Sequence, residues 1–280
     1  MNSARYMEVP CPLCGCERWT KYVLAPSHYG PESHQVTRCD DCGMIFTNPQ
    51  LISYQKQVEN TGVLTRHLEA ERLRTAGLQA HLQMRLIARF VRSGRLLDFG
   101  CGAGVLVNTA IEMGWDAVGL DMNRGLVSAA NQHWGFDALE SGSLEEFFAG
   151  DHRYFDAIVS NQVFEHLQDP VKVGTMLVDR LKPGGVFLID VPYVNQPQEL
   201  MSRGKTLDPT SHWCHFSRKT IKSLVRAIGA EVVYTSAAPA MIGTLGRFLP
   251  QDVAARVGSW SKRFLPPVGT GVCVIGQKCR

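Results

Sequence analysis

The chain has 280 residues, of which 45% are hydrophobic and 20% are charged, and its formal net charge is +3. This composition excludes a disordered or collagen-like protein and predicts one large folded domain, alone or with a small satellite. No apolar run reaches the roughly 20 residues of a membrane-spanning helix, and the first residues lack the apolar stretch of a signal peptide. We therefore expect a cytoplasmic protein with no membrane span. Nine cysteines, an odd number, favour metal ligation or free thiols over a disulfide framework.

Residues 1–50 contain two short cysteine motifs, CPLCG and CDDCG, with turn-forming residues between them. Each Cys-x-x-Cys turn brings two thiolates together, and the glycine after it suits the left-handed backbone of a tight turn. Four thiolates fit tetrahedral zinc, and the 24 residues between the two motifs are long enough for a β-hairpin. The sequence therefore predicts a small structural zinc ribbon with the ligands Cys11, Cys14, Cys39 and Cys42.

Residues 51–94 are predicted to hold a linker followed by helix. From Val63 to Arg92, leucines recur at steps of three to five residues, which is typical of a helix with one buried face. Gly77 offers a place for this stretch to divide into two helices.

From residue 95 onward, predicted strands alternate with predicted helices. The strands are expected at 95–99, 117–121, 137–140, 155–161, 185–191, 231–236 and 271–278, and the helices at 105–113, 124–133, 144–149, 171–181 and 217–228. This alternation predicts a Rossmann-like α/β domain over 95–280, with a doubly wound, mostly parallel sheet of seven strands. Two stretches, 192–216 and 237–270, are too long for ordinary connections, so we expect them to form a cap after the fifth and sixth strands.

A glycine-rich loop follows the first of these strands, in the run DFGCGAG at 98–104. Glycines let the backbone approach a ligand closely, and the next helix offers free N–H groups at its start. Asp121 ends the next strand, where a carboxylate can accept both hydroxyls of a ribose. Asp98 would repel a pyrophosphate but suits the positive amino group of an aminoacyl sulfonium. The loop therefore favours S-adenosylmethionine (SAM) over NAD.

Five segments in order, LLDFGCGAG, VGLD, SGSLEEF, FDAIVSNQVFEHLQDP and LKPGGVFLIDVP, make residues 95–191 resemble class I SAM-dependent methyltransferases of the small-molecule type. The resemblance implies that the helical stretch before residue 94 covers the cofactor. It also implies ten cofactor contacts: Asp98, Gly100, Gly102 and Gly104 around the methionine part, Asp121 at the ribose, Met122 on the adenine, Ser143 and Leu144 at the adenine edge, and Asn161 and Gln162 under the sulfonium. The two cysteine motifs likewise resemble zinc ribbons fused ahead of some of these enzymes.

Methyl transfer to oxygen or nitrogen often needs a general base, and three histidines are candidates: His166, His212 and His215. Four further residues are candidates for the acceptor pocket: Tyr54 and Tyr193 as aromatic walls, and Arg203 and Arg218 as partners for an anionic group. Residues 201–280 carry 12 Lys or Arg and only 3 Asp or Glu, which agrees with an anionic acceptor.

We therefore expect methyl transfer to a small-molecule acceptor, such as a sugar, a natural product or another metabolite, with O-methylation favoured over N- or C-methylation. The alternative is an RNA or protein methyltransferase that uses the ribbon for docking. The net charge of −1 over residues 1–62 disfavours nucleic acid, whereas the basic C-terminal part keeps the alternative open. A partner that binds the cofactor without using it, and an NAD enzyme, are weaker alternatives. A homodimer formed through 237–270 is a further expectation.

Overall fold

The computed structural model describes residues 6–27, 31–51, 68–149, 154–194, 204, 207–238 and 271–279. Its strands are β1 Tyr6–Met7, β2 Trp19–Pro26, β3 Ser33–Cys39, β4 Ile45–Thr47, β5 Gln50–Leu51, β6 Arg95–Phe99, β7 Asp116–Asp121, β8 Leu139–Ser141, β9 Phe155–Asn161, β10 Leu181–Pro192, β11 Cys214–His215, β12 Ala230–Ala238 and β13 Gly271–Lys278. Its α-helices are α1 Ala70–Ile87, α2 Val105–Glu112, α3 Arg124–Trp134, α4 Leu144–Phe148, α5 Pro170–Asp179 and α6 Arg218–Ala227.

The large sheet has seven strands in the order β12–β13–β10–β9–β6–β7–β8. The five strands from β10 to β8 are parallel, whereas β13 runs antiparallel to both of its neighbours. The central strands are continuous apolar runs because helices cover both faces of the sheet. The prediction of a mostly parallel, seven-stranded, Rossmann-like sheet is confirmed.

Side chains of each strand alternate between two hydrophobic layers. On β6, Leu96 packs into a cluster with residues of α1, α2 and α3, and Leu97 packs into a second cluster with residues of α4, α5 and α6. Because the parallel strands share one direction, their carboxyl ends and the loops that follow lie along one edge of the sheet. This edge is where the candidate site is found.

The N-terminal part forms a second sheet of four strands in the order β11–β4–β3–β2. The hairpin of β2 and β3 lies between the two cysteine motifs, as predicted. The fourth strand, β11, comes from the stretch 192–216, so the described end of that stretch completes the ribbon sheet. Cys11, Met44 and Phe46 belong to the same hydrophobic cluster as Phe187 and Phe216, so the two sheets share one core.

Some boundaries differ from the prediction. Helix α1 runs unbroken through Gly77, because one glycine costs only about 1 kcal/mol in a helix whose buried face is otherwise continuous. Strand β10 begins at Leu181, four residues before the predicted start at 185, and its register shifts between Leu181 and Val186. Residues 52–67, which hold the predicted linker and the start of the predicted helical stretch, and residues 239–270 of the predicted cap lie outside the described residues. In the part of the chain described here, no helix is long and apolar enough to cross a membrane.

Candidate active site and thiolate cluster

The loop after β6 is held against the end of β7 by backbone and carboxylate contacts. The amides of Gly100 and Cys101 donate to the carbonyl oxygen of Leu120 at 2.8 and 3.1 Å. The Asp121 carboxylate accepts from the amide of Gly102 at 2.9 Å and from the amide of Asn123 at 2.9 Å. These contacts fix the loop. Each carboxylate oxygen can still accept a second hydrogen bond, for example from a hydroxyl group.

The three loop glycines all have positive φ, but their surroundings differ. A Cβ atom at Gly100 (φ 80°) would lie 2.2 Å from a Val163 methyl, and one at Gly104 (φ 71°) would lie 2.7 Å from a Leu139 methyl. Around Gly102 (φ 51°), the described residues leave the space open within 4 Å. The outer glycines therefore permit close packing, and Gly102 borders free space.

A cavity of about 770 Å³ lies between α1 and the carboxyl ends of β6 and β9. Four of the residues predicted to contact the cofactor line it: Asp98, Gly100, Asn161 and Gln162. Its size is within the range typical of small-molecule sites, about 300–1,000 Å³. Gln162 has a φ of 55°, an uncommon backbone conformation for a residue other than glycine and one that clusters at functional sites.

Asp98 is the buried carboxylate of this cavity. Its side chain is 3% exposed, and among the residues that the structure describes no hydrogen-bond donor reaches its Oδ1 atom. Burial, together with the charge of Asp121, raises the pKa of Asp98 to about 7. A cationic ligand group in the cavity would compensate this carboxylate.

Helix α1 contributes two glutamines that the sequence analysis missed. The Gln83 amide donates to Asn161 Oδ1 at 2.6 Å and accepts from Asn161 Nδ2 at 3.2 Å. Gln79 donates to the Asp190 carboxylate at 3.2 Å, and Gln83 reaches the same oxygen at 3.4 Å. The signal in the sequence is Gln83, a polar residue on the buried, otherwise apolar face of the helix, whereas Gln79 one turn earlier is exposed at the cavity.

The other predicted cofactor contacts lie along the same sheet edge but outside the lining of the cavity. Met122 follows β7 and is 74% exposed, which is unusual for a large apolar side chain. Leu144 is buried in the core. Ser143 caps α4: its hydroxyl accepts from the Glu146 amide at 3.2 Å, and its own amide donates to the Glu146 carboxylate at 2.9 Å. The amide and hydroxyl groups of Ser143 are therefore already hydrogen-bonded within the helix cap, and neither needs a ligand as a partner.

The three candidate histidines lie in a row beside this edge, with ring centroids 4.8 Å apart from His166 to His212 and 6.3 Å apart from His212 to His215. His166 Nδ1 lies 2.8 Å from the carbonyl oxygen of Ser211, so Nδ1 carries the proton and Nε2 is the basic atom. The His166 side chain is 40% exposed, and its Nε2 lies 3.9 Å from Glu165 Oε1. Burial lowers the pKa of His166, which keeps the imidazole neutral near pH 7.

His215 lies deeper than His166. It is 4% exposed, and burial lowers its pKa to about 3. Its Nε2 atom is 3.2 Å from the hydroxyl of Thr47 on the ribbon strand β4. The His215 ring is therefore enclosed, whereas the His166 side chain is partly exposed.

A family model described as a methyltransferase domain matches residues 67–235. The chain belongs to this family. A ubiquinone biosynthesis O-methyltransferase of Dinoroseobacter shibae is 34% identical over 97 residues, which are 34% of this chain and 39% of that protein. The enzyme of the same name from Pasteurella multocida is 28% identical over 167 residues, 47% of this chain and 67% of that protein. The chain therefore matches less than half the length of the first relative.

Among solved structures, the plantazolicin methyltransferase BpumL in complex with S-adenosylhomocysteine (SAH) has a TM-score of 0.55 and 14% identity, and the match covers 81% of this chain and 93% of that one. At this identity the likeness shows the shared fold. The family model identifies residues 67–235 as a methyltransferase domain. The buried Asp98 carboxylate, the open space at Gly102 and the cavity beside them fit a ligand with a cationic amino-acid part.

Two of the four acceptor-pocket candidates of the methyltransferase can be placed. The Arg218 guanidinium lies 5.8 Å from the centroid of the Tyr193 ring, at the start of α6. Tyr54 and Arg203 lie outside the described residues.

The four cysteines of the ribbon form a cluster with all sulfur atoms within 4.8 Å of one another. Cys11 Sγ lies 3.5 Å from Cys42 Sγ, and Cys14 Sγ lies 3.6 Å from Cys39 Sγ. A tetrahedral zinc with Zn–S bonds of about 2.3 Å has S–S edges of about 3.8 Å. The cluster therefore fits a structural zinc ion, and a fourth thiolate leaves no open ligand position.

Proposed function

We propose that the methyltransferase transfers the methyl group of SAM to a hydroxyl oxygen of a small-molecule acceptor and that His166 is the general base. The observation that carries this proposal is the geometry of His166. Its Nδ1–H is fixed on the Ser211 carbonyl, which leaves Nε2 as the basic atom of a side chain that is 40% exposed. A neutral imidazole oriented in this way can accept a hydroxyl proton during methyl transfer.

The cofactor site in this proposal is built from the strand ends. Asp98 pairs with the ammonium of the cofactor, the glycines at 100, 102 and 104 line its methionine part, and Asp121 accepts the ribose hydroxyls. Met122, Ser143 and Leu144 border the adenine, and Asn161 and Gln162 lie near the sulfur. SAM, when bound, supplies a methyl group already activated by the sulfonium. The protein mainly aligns the acceptor and removes its proton.

Two features support His166 over its neighbours as the base. His215 is enclosed, and its Nε2 is engaged by Thr47. The His166 side chain, in contrast, is 40% exposed, so an acceptor hydroxyl can reach its ring. His212 packs edge-on against His166 at 4.8 Å and forms one side of its surroundings.

For the acceptor, we propose a hydroxylated metabolite with an anionic group. Arg218, stacked near Tyr193, and Arg203 would bind that group, with Tyr54 as a second aromatic wall. Oxygen is favoured as the methylated atom because the relatives reported above are named O-methyltransferases. The zinc ribbon has a structural role in this proposal.

The test uses SAM labelled on its methyl group, incubated with the protein and with hydroxylated acids, and separately with the small-molecule, RNA and protein fractions of a cell extract. Label in small molecules is expected. Label confined to RNA or protein would overturn the proposal. His166→Gln should lower kcat by about 10²- to 10⁴-fold. His81→Gln is the matched control, because His81 Nδ1 also faces a backbone carbonyl, that of Gly77 at 2.9 Å, on an exposed part of α1.

A further inference from the structure

The ribbon sheet holds the chain segment that carries two of the histidines. Strand β11 pairs with β4, and the amide of Thr47 donates to the carbonyl oxygen of Trp213 at 3.0 Å. The hydrogen bonding therefore continues from the paired strands to the residue before β11. Strand β4 of the ribbon sheet therefore fixes the backbone of residues 213–215.

The side chain of Thr47 extends this contact. Its hydroxyl donates to the carbonyl oxygen of His212 at 2.9 Å and lies 3.2 Å from Nε2 of His215. Because the single hydroxyl proton goes to the carbonyl, the His215 ring donates its Nε2–H to the threonine oxygen. Thr47 is 3% exposed, so this bridge between two histidine residues is closed to bulk water.

The segment held by Thr47 in turn holds the proposed base. The amide of Trp213 donates to the carbonyl oxygen of Glu165 at 2.8 Å. The carbonyl of Ser211 accepts the Nδ1–H of His166 at 2.8 Å, and the His212 ring packs against the His166 ring. These contacts come from residues 211–213, of which His212 and Trp213 are held by Thr47 and Ser211 is held by Asp208.

We propose that Thr47 is a positioning residue for methyl transfer: its hydroxyl fixes the peptide of His212 and thereby the orientation of His166. This inference rests on the proposed function, in which His166 is the base. Thr47 is far along the chain from the loop that binds the cofactor and is not part of the cavity lining. Its loss therefore affects the chemical step and leaves cofactor affinity unchanged.

The experiment compares three variants of the full-length protein. Thr47→Val replaces the hydroxyl by a methyl group at nearly constant volume, and Thr47→Ser keeps the hydroxyl. Thr37→Val is the matched control, because Thr37 is also buried in the ribbon sheet and its hydroxyl donates to the carbonyl oxygen of Phe46 at 3.2 Å. Its bond stays within the ribbon strands.

Thr47→Val is expected to lower kcat by about 10- to 100-fold, the cost of a displacement of about 1 Å in a catalytic group. The dissociation constant of SAH, measured by calorimetry, should stay unchanged, and Thr47→Ser should restore kcat. Thr37→Val should lower the thermal midpoint by a similar amount as Thr47→Val while keeping kcat. Equal loss of kcat in both valine variants, or wild-type kcat in Thr47→Val, would overturn the inference.

A second readout does not depend on activity. In protein labelled with 15N-histidine, the ring nitrogen signals of His166 and His212 should shift in Thr47→Val and stay in place in Thr37→Val. Unchanged signals in Thr47→Val contradict the positioning role, even if no acceptor is methylated. Absence of methyl transfer by the wild type, with shifted signals in Thr47→Val, contradicts only the proposed function. If Thr47→Val does not fold, Thr47→Ala carries the same expectations, because it removes the hydroxyl without placing a second methyl beside His215.

Discussion

Asp98 should couple cofactor binding to the release of a proton. In the free protein, burial and the charge of Asp121 raise the pKa of Asp98 from 3.8 to about 7. The ammonium group of a bound cofactor favours the ionised carboxylate, so the pKa of Asp98 falls on binding. Binding therefore expels a proton from protein molecules in which Asp98 is still protonated.

The size of the effect follows from the pKa of the free state. With a pKa of about 7, roughly nine in ten molecules carry the proton at pH 6, and only about one in ten carry it at pH 8. The affinity for SAH should therefore rise by about tenfold between pH 6 and pH 8. The same raised pKa makes ionised Asp98 unfavourable in the free protein, so its contribution to stability is present at low pH and is lost as the pH rises through about 7.

Calorimetry with SAH in two buffers of different ionisation enthalpy measures both the affinity and the protons released. Asp98→Asn should flatten the dependence of affinity on pH and should weaken binding at pH 8 by about 10- to 100-fold, the worth of a hydrogen bond to a charged group. The control is Asp116→Asn, which removes an exposed carboxylate 2.8 Å from Arg95 at the opposite end of β7. The reasoning is refuted if the wild-type affinity is constant from pH 6 to pH 8, or if Asp98→Asn keeps the wild-type slope.

Three further outcomes are expected. Burial raises the pKa of Glu165 from 4.5 to about 8, so its contribution to stability is present at low pH and is lost as the pH rises through about 8. Urea unfolding should therefore show a smaller loss of stability between pH 5 and pH 8 in Glu165→Gln than in the wild type, and the loss due to Asp98 should remain in both. Gly100→Ala should lower the thermal midpoint and abolish SAH binding, because its Cβ would lie 2.2 Å from a valine methyl. The control is Gly114→Ala, which has open space around a similar φ and should lower the free energy of unfolding by only about 1 kcal/mol. Cys39→Ser should lose the zinc ion detected by elemental analysis and should melt earlier, whereas Cys279→Ser at the exposed C-terminal end should change neither.

The strands of the large sheet were predictable because their local sequence agrees with their environment. The strands at 155–161 and 271–278 match the prediction at both ends, since each is an apolar run bounded by residues that favour turns or loops. The resemblance to class I methyltransferases implied the cofactor roles of Asp98, Asn161 and Gln162, which lie at or near the carboxyl ends of the neighbouring parallel strands β6 and β9. The structure brings Asp98, Asn161 and Gln162 to one cavity for that reason.

The helix side of the cavity was not predictable in the same way. Gln79 and Gln83 precede the first strand of the sheet, and their partners, Asn161 and Asp190, lie 78 to 111 residues further along the chain. The sequence marks Gln83 as a polar residue on an apolar face, which indicates burial with a partner and does not identify that partner. Their role depends on how α1 packs across the strand ends.

Ribbon strand β11 was missed for a related reason. Two residues are too few to produce an alternating pattern, and Cys214 and His215 suggested chemistry in place of pairing. Their partner strand, β4, ends at Thr47, and Thr47 lies 165 residues before its hydrogen-bond partner His212. Only the assembled core explains why a short segment next to α6 is extended.

The order in which the chain emerges during synthesis gives this arrangement a consequence. Residues up to Thr47 leave the ribosome early, with both cysteine pairs complete and able to close around a metal ion. Until residues 214–215 follow, strand β4 has one neighbour and presents an unpaired edge to its surroundings. Strand β4 is therefore made before the strand that covers its edge, and residues 1–50 expressed alone would keep an unpaired strand edge that β11 covers in the folded chain.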